Sequence, residues 1–228
     1  MRQGKRAQGE GGESLSSRIE GRRLLTVLSA DLSGFTALSA KIGAKEICET
    51  SQVCSSYLNT AILAQGGTVH KHEGDLMIAL FGYPAAHEDD PERAIRAAFE
   101  MIDLLDSINR ALFIRLRVMT DLGLHVGIDT GTSVVREGGG PGKREVSVTG
   151  DAVNLASRLK DVAGRGEIVV SEPVFRASRY LFEYEALGPV AVKGIAGPVK
   201  VFRPLKERAE PKPKHGVRGH ASPKGNSK

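Results

Sequence analysis

The order in which the hydrophobic period changes along residues 24–128 constrains this chain more than any other feature. Leu24–Ala30 (LLTVLSA) is a near-continuous apolar run of strand length. After a turn at Asp31–Gly34, Leu38, Ile42, Ile47, Val53, Tyr57, Leu58 and Ile62 recur at threes and fours, which predicts a helix over Thr36–Ala64. Gly66-Gly67 closes it. Thr68–Lys71 and Leu76–Phe81 read as two strands, and the short connection His72-Glu73-Gly74-Asp75 makes them a hairpin. Pro91, preceded by Glu88-Asp89-Asp90, opens a second helix. Its apolar face is Ala94, Ile95, Ala98, Met101, Ile102 and Leu105. Leu122–Ile128 is one more strand.

Strand, helix, strand, strand, helix, strand is the ferredoxin-like βαββαβ pattern. It predicts an α+β fold, an antiparallel sheet with helices on one face. Short strands near Thr132–Val135 and Glu145–Val148, a helix over Asp151–Val162, and a strand at Glu167–Val170 extend it. Two late strands, near Phe182–Leu187 and Val199–Arg203, close an expected domain of residues 22–205. Aromatic residues are only 5% of the chain and Trp is absent, so the core has to be aliphatic.

Charge is unevenly spread. Residues 1–23 carry six Lys/Arg against three Glu, and residues 205–228 carry seven against two. With +5 overall, residues 24–204 are left at −3. Residues 1–21 and 206–228 are therefore expected to be disordered basic tails, and the mildly acidic domain between them argues against nucleic-acid binding. No apolar run approaches the ~20 residues that span a bilayer, and the first residues lack the apolar stretch of a secretory signal. Cys48 and Cys54 are six apart, about 240° around a helix, and so do not face each other. A reducing, cytoplasmic setting is expected.

Asp31 ends an apolar strand, and Asp75 follows Gly74 in a turn just before another. In the expected sheet those strand ends are neighbours, and two adjacent carboxylates suit a hard divalent cation such as Mg²⁺ or Mn²⁺. The turn after Asp31 leads into a helix N-terminus, whose N–H groups can hold phosphates. Alone, each aspartate reads as ordinary turn chemistry rather than as a metal ligand.

Five segments read together say more. Ala30-Asp31-Leu32-Ser33-Gly34-Phe35-Thr36 resembles the first metal motif of class III nucleotidyl cyclases. Lys71-His72-Glu73-Gly74-Asp75 is similar to their K-x-x-G-D hairpin. Leu124-His125-Val126-Gly127-Ile128-Asp129-Thr130-Gly131 resembles the strand usually written G-I-H-T-G. Thr149 to Leu159 is similar to the helix motif G-D-x-V-N-x-A-x-R, and Val192-Lys193-Gly194-Ile195 to the late K-G strand. The order and spacing hold over about residues 22–205. Phe81 to Asp90 (FGYPAAHEDD) resembles a bacterial group within the family.

The resemblance implies an adenylate cyclase of the class III cyclase fold, converting ATP to 3′,5′-cyclic AMP and pyrophosphate. Asp31, Asp75 and the Leu32 carbonyl would hold two metal ions, Mg²⁺ or Mn²⁺, which activate the 3′-hydroxyl and neutralise the triphosphate. Gly34, Phe35 and Thr36 would meet the phosphates, as would Lys193. Asn154 would position the ribose and Arg158 would stabilise the reacting phosphate, for which a guanidinium fork is suited. Lys71 occupies the adenine-reading position, where guanylate cyclases generally carry Glu, and Ser147 occupies its partner's position. The family shares each site between two protomers, which implies a homodimer. An unseen regulatory partner is expected, since no sensor segment is recognisable. A guanylate cyclase, or a silent nucleotide-binding and dimerisation module, are the alternatives.

Two departures stand out. His72 and Glu73 replace small or apolar residues and are expected to point to solvent at the hairpin tip. Arg136–Arg144 (REGGGPGKR) is Gly-rich but lacks the G-K-[ST] of a Walker loop, which excludes a P-loop ATPase.

Overall fold

The computed structural model describes residues 19–138 and 145–209. Among them, eight strands and six helices follow one another. The first half runs β1 (Ile19–Ser33), α1 (Phe35–Ser39), α2 (Ala44–Ala64), β2 (Thr68–Glu73), β3 (Leu76–Phe81), α3 (Asp90–Asp103), α4 (Leu105–Leu116) and β4 (Gly123–Gly138). The second runs β5 (Glu145–Gly150), α5 (Asp151–Val162), β6 (Glu167–Ser171), α6 (Glu172–Ser178), β7 (Phe182–Ala191) and β8 (Pro198–Glu207).

The strands form one sheet in the order β2-β3-β1-β4-β6-β8-β7, with β5 paired to β4. Its first four strands are antiparallel throughout, in the ferredoxin-like order. Beyond them the sheet is mixed, because β6 runs parallel to β4 from His125↔Glu167 to Ile128↔Val170. The α5 crossover returns the chain to the direction of β4, which a tight hairpin cannot do.

Period-two alternation on β1 divides the core. Leu28, Ala30 and Leu32 point into a layer of α1, α2, α3 and α4, with Leu58, Ile62, Ile95, Met101 and Ile108 fully buried there. Each such Leu or Ile contributes about 1.5–3 kcal/mol on leaving water. Leu25 and Val27 point to the opposite face, where Ala152 and Ala156 of α5 meet Val135 and Val148 of the β4–β5 ribbon. Helices therefore cover both faces, and α5 is the one on the Asp31 side.

Several boundaries differ from the sequence expectation. The helix expected over Thr36–Ala64 is two helices, broken where Gly43 takes extended angles (φ −78°, ψ 169°) at the start of α2. The second helix divides at Leu104 into α3 and α4. The two strands expected at Leu122–Ile128 and Thr132–Val135 are the single strand β4, since Gly131 stays extended and leaves room for α5. Helix α6 is extra, and its signal is Ser171 as the N-cap with Glu172 and Pro173 in the first turn. β1 begins at Ile19, slightly before the expected domain start. The remainder of both tails, and residues 139–144 of the Gly-rich loop, lie outside the described residues. Cys48 is exposed and Cys54 buried, as their angular separation on α2 requires.

Candidate active site

The sheet register brings the two expected metal aspartates together. Asp31 stands at the end of β1, opposite Leu76 of β3 and His125 of β4. The Leu32 N–H donates to the Asp75 carbonyl at 3.2 Å, which pins the hairpin turn beside Asp31. A strand residue directs its N–H and C=O to the same neighbour, so the Leu32 carbonyl faces the Asp75 side too. Burial, followed by the repulsion of Asp75, raises the Asp31 carboxyl above its usual range against the pull of Lys160 and His125.

Gly34 adopts φ +83° at the head of α1, where a Cβ would lie 2.8 Å from the Asp121 carbonyl oxygen. Only glycine turns the chain there without strain. Phe35 is buried and anchors the turn, leaving Thr36 exposed at the first turn of α1. Ser33 and Gly34 also line a cleft of about 350 Å³ that ends at Asp121 and Arg165.

α5 crosses β4 at very short range. A Cβ on Gly127 would stand 2.1 Å from the Ala156 carbonyl oxygen and 2.2 Å from the Lys160 nitrogen. That approach brings the last turn of α5 to Asp31, and the Lys160 ammonium lies 3.7 Å from Asp31 Oδ2. It also lies 3.2 Å from Asp161 Oδ1, while Arg158 Nη1 is 3.5 Å from Asp161 Oδ2. Lys160 was not foreseen as part of the site. Its signal is position: Ala152, Ala156 and Lys160 form one i, i+4 row, and the two alanines are buried against the sheet.

The other expected site residues are not gathered at Asp31. Asn154 and Arg158 are exposed, one turn apart on α5. Arg158 is two positions before Lys160 on α5, about 200° around the helix, and its guanidinium reaches Asp161, the carboxylate that Lys160 also meets. Lys71 is exposed on β2 and ion-paired to Glu73 at 2.6 Å; the hydrogen bond from Lys71 holds the Glu73 carboxyl below its usual range. Ser147 is exposed on β5, opposite Arg136 of β4. Lys193 is exposed in the turn after β7, four strands away from β1, which is about 19 Å at ~4.8 Å per strand.

His72 corrects an expectation. It does not point to solvent but tucks half-buried against α2, its Nε2 2.9 Å from Ser55 Oγ. Glu73 does stay exposed. Asp129, where the related motif has His, is only 4% exposed, and burial pushes its carboxyl up to about 6. His125 is fixed by a 2.8 Å hydrogen bond between Nδ1 and the Ala163 carbonyl.

The adenylate and guanylate cyclase catalytic domain family matches residues 19–204 of this chain. The chain belongs to that family. As a class III nucleotide cyclase domain it is similar to the adenylyl cyclase CyaB from P. aeruginosa, whose crystal structure superposes with a TM-score of 0.76 at 27% identity. That likeness covers 83% of this chain and 97% of the other. The crystal structure of the guanylyl cyclase Cya2 superposes with a TM-score of 0.73 at 28% identity, over 85% and 96%. An adenylate cyclase of Anabaena cylindrica is 28% identical over 171 residues, 73% of this chain and 33% of that protein. The chain spans about a fifth to a third of the length of such relatives.

The donor set of this cyclase domain fits a hard divalent cation. Asp31, Asp75 and the Leu32 carbonyl are all oxygen donors, and a cationic group, the Lys160 ammonium, already stands on Asp31. Among the described residues no helix is long and apolar enough to cross a membrane.

Proposed function

We propose that this cyclase domain is an adenylate cyclase that forms 3′,5′-cyclic AMP and pyrophosphate from ATP, at two sites shared across a homodimer. One observation carries the reading. The chain holds Asp31 beside the Asp75 turn at one end of β1, while Asn154 and Arg158 are exposed on α5, with Arg158 paired to Asp161. A second protomer, related by a two-fold axis, supplies what each half lacks.

Mg²⁺ or Mn²⁺, held by Asp31, Asp75 and the Leu32 carbonyl, would supply charge neutralisation to the triphosphate and acidify the 3′-hydroxyl when bound. The protein groups do the rest. N–H groups of Gly34, Phe35 and Thr36 receive phosphate oxygens, with Lys193 from the partner chain at the terminal end. Asn154 orients the ribose so that the 3′-oxygen lines up with the α-phosphorus. Arg158 spreads its charge over the α-phosphoryl oxygens as the bond to the pyrophosphate oxygen breaks. Lys71 donates to the adenine ring, and the Ser147 hydroxyl pairs with its amino group.

A second reading has its own support. Glu73 places a carboxylate beside Lys71 on the base-reading strand, and a carboxylate is the group that accepts from a guanine edge. The deciding experiment is product formation from ATP and GTP with Mg²⁺ or Mn²⁺ over a protein-concentration series. Cyclic AMP rising faster than linearly with protein is the expected result. A preference for cyclic GMP overturns the base assignment, and no product from a folded dimer favours the silent module.

A further inference from the structure

The position of Lys160 has a consequence for how the cation reaches its ligands, resting on the reading of Asp31 as a metal ligand. The lysine belongs to the sheet-facing row of α5, so its stem is held between helix and sheet and its side chain is only 13% exposed. Its ammonium meets Asp31, itself 33% exposed and close to Asp75. Two half-buried carboxylates without a cation repel each other and lose hydration. Lys160 supplies the missing positive charge from within the chain. Asp161, at 3.2 Å against 3.7 Å for Asp31, is a second carboxylate that the same ammonium meets.

We propose that Lys160 is a built-in counter-ion of the metal site, shared between Asp31 and Asp161 until a divalent cation on Asp31 leaves it to Asp161 alone. An ammonium and a divalent cation cannot share one carboxylate oxygen closely. Even at water's dielectric, a unit charge about 6 Å from a divalent ion lowers its binding about tenfold. The free protein is thereby held in a low-affinity state for bare cations, and its carboxylates stay in place for a cation that arrives with a triphosphate. Asp161 sets the balance, because it determines how readily Lys160 leaves Asp31.

The test is Mn²⁺ binding to the full chain without nucleotide, followed by the electron paramagnetic resonance signal of free Mn²⁺. Lys160→Met keeps the apolar stem and removes the charge, and is expected to bind Mn²⁺ about tenfold more tightly than the wild type. Lys160→Gln is expected to behave alike and guards against misfolding of either variant. Asp161→Asn is expected to weaken binding several-fold, and the double variant to match Lys160→Met, since Asp161 acts through the lysine. Asp31→Asn is expected to remove the site. Unchanged affinity in both Lys160 variants, with binding still lost in Asp31→Asn, overturns the counter-ion role and leaves the metal site standing. Additive effects of Lys160→Met and Asp161→Asn also overturn it. Binding that survives Asp31→Asn overturns the metal assignment itself.

Discussion

Gly127→Ala tests whether the contact between α5 and β4 builds the site. The added Cβ would stand 2.1 Å from the Ala156 carbonyl oxygen, 2.2 Å from the Lys160 nitrogen and 2.8 Å from the Leu159 carbonyl carbon. All three are backbone atoms, so no side-chain rotation relieves them. Ordinary contact begins near 3.4 Å, which forces the helix back by roughly 1 Å or more. Such overpacking costs about 1–3 kcal/mol, and a domain of this size loses about 2–4 °C of Tm per kcal/mol. The expected fall in thermal denaturation is therefore about 2–12 °C. Because α5 also carries Asn154, Arg158 and Lys160, a displacement of about 1 Å is expected to lower cyclic-nucleotide formation about a hundredfold. Gly131→Ala is the control on the same strand. Its Cβ would meet the Ala152 Cβ at 3.3 Å and Asp129 Oδ2 at 3.8 Å, so it is expected to cost less than about 1 kcal/mol. If the Gly127→Ala protein melted and turned over like Gly131→Ala, the close crossing would not be what positions α5.

Asp129→Asn is expected to change stability with pH. The carboxyl is raised from 3.8 to about 6 by burial, so the folded state holds its proton more tightly than the unfolded state. Wild-type stability is then lost as pH rises from about 4 to about 6, by up to about 3 kcal/mol at ~1.36 kcal/mol per pKa unit. Denaturation curves are expected to show a stabilised Asp129→Asn protein at pH 7 and little difference at pH 4; an equal gain at both values would refute the burial argument. Mixing Asp75→Ala with Arg158→Ala protein is expected to restore roughly a quarter of wild-type activity through heterodimers with one intact site. No rescue from verified heterodimers would count against shared sites. Lys71→Glu is expected to shift turnover from ATP towards GTP, read as the ratio of the two cyclic products, and an unchanged ratio would remove Lys71 from base recognition.

The sequence was most informative where one local rule acted alone. Apolar runs and three-four spacing marked β1, β3 and the buried stripe of α2, because burial on one face imposes those periods. The ordered motifs placed Asp31, Asp75, Asn154 and Arg158 on the elements that carry them, since each motif includes the turn or helix that presents its residue. Boundaries were harder. Gly131 reads as a break in isolation, yet in the sheet it continues β4 beneath Ala152 of α5. Ala40–Gly43 sits inside a helical spacing, yet the chain leaves the helix there because Ile42 packs against the core and Gly43 extends.

What the sequence determined by itself was therefore the βαββαβ order and the identity of the chemical groups, because periodicity and residue type are local properties. Which groups meet across layers was decided only by the tertiary structure. The meeting of Asp31 with the Asp75 turn was legible from the hairpin order, whereas the seating of Lys160 on Asp31 follows from a helix crossing at a glycine. His72 against Ser55 depends likewise on how layers pack. Such contacts join residues from 17 to 129 positions apart, and no local pattern encodes a distance between elements until the sheet and its covering helices fix it.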